Sequence, residues 1–326
     1  MINHHKLTSI FFIGHFAIDN IVRFKRPNKQ SLGGSTAYCS LALRTYAQDA
    51  NIGIVSHVGK LNFKDSLLDK IKNQNIDLSG IKYSQVENTN FVLDYFDHTR
   101  TLTLKSRSPD LDFNDIPVEI LNSTPDIFAL VPLCNEISYK YVVQILKQFP
   151  TAYIGIDLQG FIRNIDEIGK VTYVYDAEII DNMKKIIDFI GDRLILKGSE
   201  EEMKLITGEC EDFERVMTHC HGYNNNAIYI MTLGEKGSML TKKGEEILKI
   251  PAFKTKRVLD ETGAGDVYFS IFLYEFIHSD KTWEDVKKAA YFASAAASFL
   301  VEKRGPVGFE SKKKVSRRVK RKKYIN

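Results

Sequence analysis

Short runs of aliphatic and β-branched residues alternate with longer stretches of helical period along most of the chain. Residues 10–13, 52–55, 127–131, 153–156, 194–196 and 227–231 predict strands. Several are continuous apolar runs, as strands covered on both faces require. Residues 35–46, 64–73, 138–148, 177–190, 199–207, 265–278 and 283–301 predict helices between and after them. This alternation predicts an α/β fold: a three-layer, doubly wound and mostly parallel sheet.

Two stretches break the rhythm. Residues 90–105, N-F-V-L-D-Y-F-D-H-T-R-T-L-T-L-K, form two β-rich arms around the polar run Asp97-His98-Thr99-Arg100. They predict a hairpin that leaves the main sheet. Together with residues 17–25, the region 80–105 is expected to supply a small β-strand lid, or else an edge extension without a gating role. A second short hairpin is predicted for 238–241 and 247–250.

With 326 residues and 44% hydrophobic content, the chain can bury a substantial core. No window approaches the roughly 20 apolar residues needed to cross a bilayer. The alanine-rich stretch 289–301 reads as a packed helix. No secretory pattern opens the sequence, which points to a cytoplasmic protein. Cys39, Cys134, Cys210 and Cys220 show no C-x-x-C spacing, and Cys220 between His219 and His221 matches no usual zinc site. The thiols are expected to be reduced and structural.

The net charge of +4 conceals an asymmetry. Residues 311–326 hold nine lysines or arginines and no acid, so 1–310 carry 36 basic against 41 acidic residues. The expected organisation is a main domain over 1–310 and a basic segment over 311–326. That segment reads either as a solvated terminal helix, with Val315 and Val319 on one face, or as a contact for nucleic acid. The solvated helix is the favoured reading.

The most informative run is Asp260-Glu261-Thr262-Gly263-Ala264-Gly265-Asp266, which precedes the apolar stretch Val267–Leu273. Small residues free the backbone to expose N–H groups at the start of a helix, where unpaired donors and partial positive charge attract anions. A carboxylate at the same point repels a phosphate but is well placed to take a proton. Anion cradle and base together point to phosphoryl transfer. Gly33-Gly34-Ser35 and Thr232-Leu233-Gly234-Glu235-Lys236-Gly237 are further turns that permit close backbone approach to a ligand, or serve only as connectors.

In this order, the double glycine, the acidic helix start, T-x-G-x-x-G and G-A-G-D resemble the ribokinase-like, or PfkB, carbohydrate kinases. The resemblance runs from about residue 10 to 309. It implies that Asp266 is the base and that Gly263, Ala264 and Gly265 form the anion hole. It further implies that Thr232, Gly234 and Gly237 form the nucleotide loop, and that Thr262 and Ser199 also bind the cofactor. Asp19, Gly33 and Gly34 fall on the acceptor side. ATP and Mg²⁺ are the implied cofactors, with Glu202 acting on magnesium through water.

Three departures are visible: Glu261 replaces a usual threonine, Ser199 an asparagine, and Tyr38 stands where many sugar kinases place an asparagine. Asp157-Leu158-Gln159-Gly160-Phe161-Ile162-Arg163, with Glu136 after the preceding strand, is similar to the inositol kinase and archaeal sugar kinase branch. Asp157, Gln159 and Arg163 are therefore expected to meet a polyol, or alternatively to cap a loop. The expected activity is phosphorylation of a small polyol or sugar. The alternatives are a nucleoside kinase, with Phe91, Tyr95 or Phe161 stacking on a base, and a non-catalytic binding protein. A homodimer through the lid and no membrane partner complete the expectation.

Overall fold

The computed structural model describes residues 8–23, 29–96, 99–209, 212–223 and 225–325. The turn residues Asp97 and His98, together with Phe24 and Cys210, lie outside the described residues. In chain order the first elements are β1 (Ser9–Ile13), β2 (Ala17–Arg23), β3 (Lys29–Gly33), α1 (Ser35–Tyr46), β4 (Asn51–Gly59), α2 (Asp69–Lys72) and β5 (Asp77–Ser84). Then come β6 (Asn90–Phe96), β7 (Thr99–Ser106), α3 (Val118–Leu121), β8 (Ile127–Leu130), α4 (Tyr139–Gln148), β9 (Tyr153–Asp157), β10 (Asn164–Ile165) and β11 (Val171–Thr172). The remainder is α5 (Ala177–Ile190), β12 (Leu194–Ser199), α6 (Glu200–Thr207), α7 (Phe213–His219), β13 (Ile228–Thr232), β14 (Ser238–Thr241), β15 (Leu248–Ile250), α8 (Ala264–Ile277), α9 (Trp283–Leu300) and α10 (Lys312–Arg321).

Nine strands form one sheet in the order β15-β14-β13-β12-β9-β8-β1-β4-β5. All its pairings are parallel except β13/β14 and β14/β15. Alternation along β1 separates two cores. Ile10 and Phe12 face a layer that includes α1, α8 and α9, whereas Phe11 and Ile13 face the layer of α4 to α7. The period-2 geometry of a strand covered on both sides therefore generates the three layers. β1 lies between β8 and β4, so the connections diverge there. In open α/β sheets ligands settle at the carboxyl ends of strands beside such a point.

The lid is a separate four-stranded sheet, β3-β2-β6-β7. It differs from the expectation in two respects. Residues 80–84 belong to β5 at the edge of the main sheet rather than to the lid. Its fourth strand, Lys29–Gly33, carries too little β-rich pattern to read from sequence. The predicted helix over 64–73 is a 3₁₀ turn, Asp65–Leu68, followed by one α-helical turn.

The basic segment also departs from the solvated reading. In α10 Val315 is 0% exposed and joins the core that contains α9. Arg318 stacks 3.3 Å from the centroid of the Phe299 ring and donates to Ser298 at 2.8 Å and Glu302 at 3.1 Å. Two valines and one long cationic stem are enough to dock the helix, with the rest of its charge in water.

Candidate active site

Helix α8 is apolar nearly all round and buried, so its start is fixed against the sheet. Upstream, the Asp260 carboxylate accepts from the Thr262 amide at 3.1 Å and the Gly305 amide at 3.3 Å, stapling the turn to the chain after α9. Gly263 then adopts φ 82°, a left-handed conformation that favours glycine. A Cβ there would also lie 2.0 Å from the Tyr38 ring. The N–H groups of Gly265 and Asp266, in the first turn, have no intrahelical acceptor and are available to an anion. Ala264 differs: its N–H donates to the Glu261 carbonyl at 3.1 Å, so its amide is committed to the turn.

Asp266 lines a cavity of about 410 Å³ at the carboxyl ends of the strands. Burial, then the nearby Asp157 carboxylate, push its pKa up to about 6, while Lys197, a hydrogen bond with Ser35 and Arg163 pull the other way. Gln159 donates to Ser35 Oγ at 3.1 Å, so Gln159, Ser35 and Asp266 form a chain that orients the carboxylate.

Lys197, on β12, was not singled out by any sequence motif. Its Nζ sits 2.6 Å from Asp157 Oδ2, and a Cβ on Gly265 would meet the same Nζ at 3.0 Å. Burial opposes its charge, but Asp157, Glu202 and Asp266 together hold its pKa above the ordinary lysine value. A protonated ammonium therefore stands against the first turn of α8. One signal was in the sequence: a lysine directly after the apolar run 194–196, still on the strand, needs a buried partner.

The other expected residues separate into those that line the cavity and those that support it. Asp19, Gly34, Gln159, Arg163, Ser199, Thr232, Thr262, Glu202, Gly263, Gly265 and Asp266 all line it. Gly33 lies behind Asp19, where a Cβ would strike the Asp19 carboxylate at 2.0 Å. Asp157 is buried outside the lining and acts on Lys197. It also caps the turn that carries Gln159, whose amide lies 3.4 Å away.

Arg163 lies in the cavity wall rather than on the surface. It donates to the Leu133 carbonyl at 2.7 Å and to Tyr173 Oη at 3.2 Å. Glu136 is a correction: it is fully buried and outside the lining. Its oxygens accept from the amides of His15 at 3.0 Å, Leu133 at 2.9 Å and Cys134 at 2.8 Å. It shapes the loop that carries Leu133. Of the aromatic residues considered for stacking, Phe91 lines the cavity and Phe161 belongs to the core below. Tyr95's side chain lies outside the described residues.

Ser199 and Glu202 form a reciprocal capping box at the start of α6. Glu202 Oε2 accepts from the Ser199 amide at 2.8 Å, and Ser199 Oγ accepts from the Glu202 amide at 3.3 Å. Burial and Asp157 push the Glu202 pKa up, against Lys197, Ser199 and Tyr173. The cavity wall around it supplies Glu201, Glu261 and Thr262. Mg²⁺ retains waters and takes one or two carboxylates beside phosphate oxygens, which Glu202 and Glu201 on this wall can offer, although no three acidic side chains converge here among the described residues.

A second cavity of about 310 Å³ adjoins the first through Thr232, Glu261 and Gly265. Gly234 and Gly237 line it, at φ 58° and 90°, in the turn after β13. Residues 26–313 match the model of the pfkB family carbohydrate kinases. The chain belongs to that family. It is a phosphotransferase with an alcohol group as acceptor.

The kinase is 27% identical over 324 residues to a nucleoside kinase of Methanocaldococcus jannaschii, covering 92% of each chain. It is 28% identical over 313 residues to a 5-dehydro-2-deoxygluconokinase of Clostridium botulinum, covering 89% of this chain and 86% of the relative. Among solved structures, a pyrophosphate-dependent kinase in the ribokinase family, complexed with a pyrophosphate analog and myo-inositol, superposes with a TM-score of 0.72 at 18% identity. That match covers 91% of this chain and 96% of the other. No helix among the described residues is long and apolar enough to cross a membrane.

Proposed function

We propose that this kinase transfers the terminal phosphoryl group of ATP to a hydroxyl of a small polyol or sugar. The observation that carries the reading is Asp266, its pKa raised to about 6, in the wall of the first cavity next to Gly265, which lines both cavities, and beside the first-turn amides of α8. A carboxyl of that pKa is ionised at neutral pH and still basic enough to accept a proton from an attacking hydroxyl. Repulsion between a carboxylate and a phosphate is offset by the Gly265 and Asp266 amides and by Lys197. These groups also face the charge that develops on the moving phosphoryl oxygens.

Asp19, Gln159 and Arg163 offer an acceptor, a mixed amide and a donor to ring hydroxyls, the complement a polyol requires. Bound Mg²⁺ neutralises phosphate charge, and Glu202, with Glu201 at the cavity edge, is the group that would hold it. The apolar second cavity supports a nucleotide donor, because inorganic pyrophosphate has no use for such a wall. The test is product formation from sugars, inositols and nucleosides, each offered with ATP and with pyrophosphate. Turnover of a polyol or sugar with ATP is the expected result. No acceptor turned over with ATP would sink the reading.

A nucleoside acceptor is the second reading, and a specific feature favours it. Phe91, Leu93 and Leu102 of the lid form one apolar side of the acceptor cavity, beside Tyr38. A nucleobase can stack there, and phosphorylation of nucleosides but no polyol in the same screen would select it.

A further inference from the structure

We infer that the C-terminal residues complete the donor site: Ile325 forms one wall of the slot that takes the nucleobase, held there by pairing of residues 323–325 with 252–254. This rests on the ATP-dependent reading above. The Lys254 amide donates to the Lys323 carbonyl at 2.9 Å, and the Ile325 amide donates to the Ala252 carbonyl at 2.9 Å. Phe253 and Tyr324 pair as a bridge, their rings 5.0 Å apart at an interplanar angle of 67°. Residues 323–325 thereby run alongside 252–254 as an isolated bridge whose position is set by both backbone and aromatic contacts.

What that segment carries matters for the cavity beside it. Ile325 lines the 310 Å³ cavity together with Phe253, Val258, Ala297 and Val301. Val258 is 58% exposed and Ile325 38%, so two apolar side chains face water in one slot. Single exposed apolar residues are ordinary, but two in the wall of one cavity fit a flat apolar ligand between them. The slot opens toward Gly265 and Thr232, where the phosphates of the same donor would lie.

α10 fixes this arrangement from the other side. Arg318 donates to Ser298, itself in the cavity wall, while its guanidinium covers Phe299. The basic segment is thus part of the donor site at two points, with Arg318 against α9 and Ile325 in the slot. Its remaining cations are not needed for this role.

The test is Ile325→Asp in the full chain, because a half-exposed side chain can be changed without opening the core. Removal of the apolar wall is expected to raise the KM for ATP about tenfold. The acceptor KM and the kcat at saturating ATP should stay within about twofold. Inhibition by inorganic tripolyphosphate, which carries the charge of the donor without its base, should keep its potency. A chain ending at Arg321 should show the same loss or a larger one. An ATP KM unchanged in Ile325→Asp overturns the assignment, as does an equal loss of tripolyphosphate affinity. A wild-type enzyme that uses pyrophosphate but not ATP overturns both this inference and the donor reading. Activity with ATP and an indifferent Ile325 overturns the inference alone.

Discussion

The two cavities that meet at Gly265 solve opposite problems. The acceptor side is built from charge removed from water: Asp157, Lys197, Glu202 and Arg163 are all buried, and each is tied to a partner within hydrogen-bonding distance. The donor side relies on apolar wall and on glycine turns, with little fixed charge of its own. On the proposed function the difference follows from what each would recognise. A polyol is distinguished by directional hydrogen bonds, which need donors and acceptors locked in place. A nucleobase offers a flat face that an apolar slot accepts without such precision. On the proposed function the chemistry sits on the charged side, because a proton would move there.

Removing the base should break the contrast most severely. Asp266→Asn keeps the shape and the hydrogen bond to Ser35 but cannot take the proton. Turnover should fall by roughly 10³–10⁴. Nucleotide affinity and the melting temperature should change little, which titration calorimetry and thermal unfolding would show. Near wild-type kcat in this variant would defeat the assignment of the base.

Lys197→Met comes next and separates charge from packing. It strips a cation from the first turn of α8 and leaves Asp157 buried without its partner. Loss of a buried partner costs roughly 3–5 kcal/mol of stability, and loss of the phosphoryl contact should cost roughly 10²-fold in kcat. Unfolding in denaturant and steady-state rates measure the two separately. Stability lost with an intact kcat would make Lys197 a structural ion only.

The pH profile sharpens the electrostatic half of the comparison. Because burial and Asp157 raise the Asp266 pKa to about 6, the active ionised form is lost as pH falls through that value. kcat/KM should therefore decline below about pH 6, well above the ordinary carboxylate range. Ser35→Ala removes a hydrogen bond that favours the ionised form. Its acid limb should move to higher pH, with a smaller loss of rate at pH 8. An acid limb that stays in place would show that Ser35 does not touch the titrating group.

The smallest effect on catalysis is expected at Glu136→Gln. Burial opposes ionisation of Glu136, yet His15 and the amides of Cys134 and His15 outweigh it and hold the pKa below the ordinary glutamate value. Its stabilisation is therefore present at neutral pH and is lost as pH falls below that ordinary value. An amide can replace only part of the three-donor cradle, so stability should drop by about 1–3 kcal/mol. The acceptor KM should move less than in Gln159→Ala, a direct contact with the cavity. Equal changes in acceptor KM would return Glu136 to the substrate surface.

Much of this architecture could be read from the order of residues. Continuous apolar runs of strand length, separated by amphipathic or wholly apolar helices, leave few options besides a covered parallel sheet, and β1, β8, β9, β12 and β13 fall where those runs are. The G-A-G-D run likewise carries its own explanation, since a glycine at φ 82° and the first turn of a buried helix are local properties of the chain. β3 and β5 were not legible as strands of their sheets. Their sequences are polar or mixed, and only pairing with neighbours makes them strands.

What the sequence alone determined was the layering, the buried helix α8 and the glycine-rich turn that sets a carboxylate at its start, because each follows from local periodicity or local backbone freedom. The tertiary structure decided which charges meet. Lys197 and Asp157 are 40 positions apart, Ser35 and Asp266 still farther, and Ile325 reaches the wall of the second cavity only because residues 252–254 offer it an edge. Pairing of buried groups depends on where strands and loops cross in space, and no spacing along the chain encodes that distance.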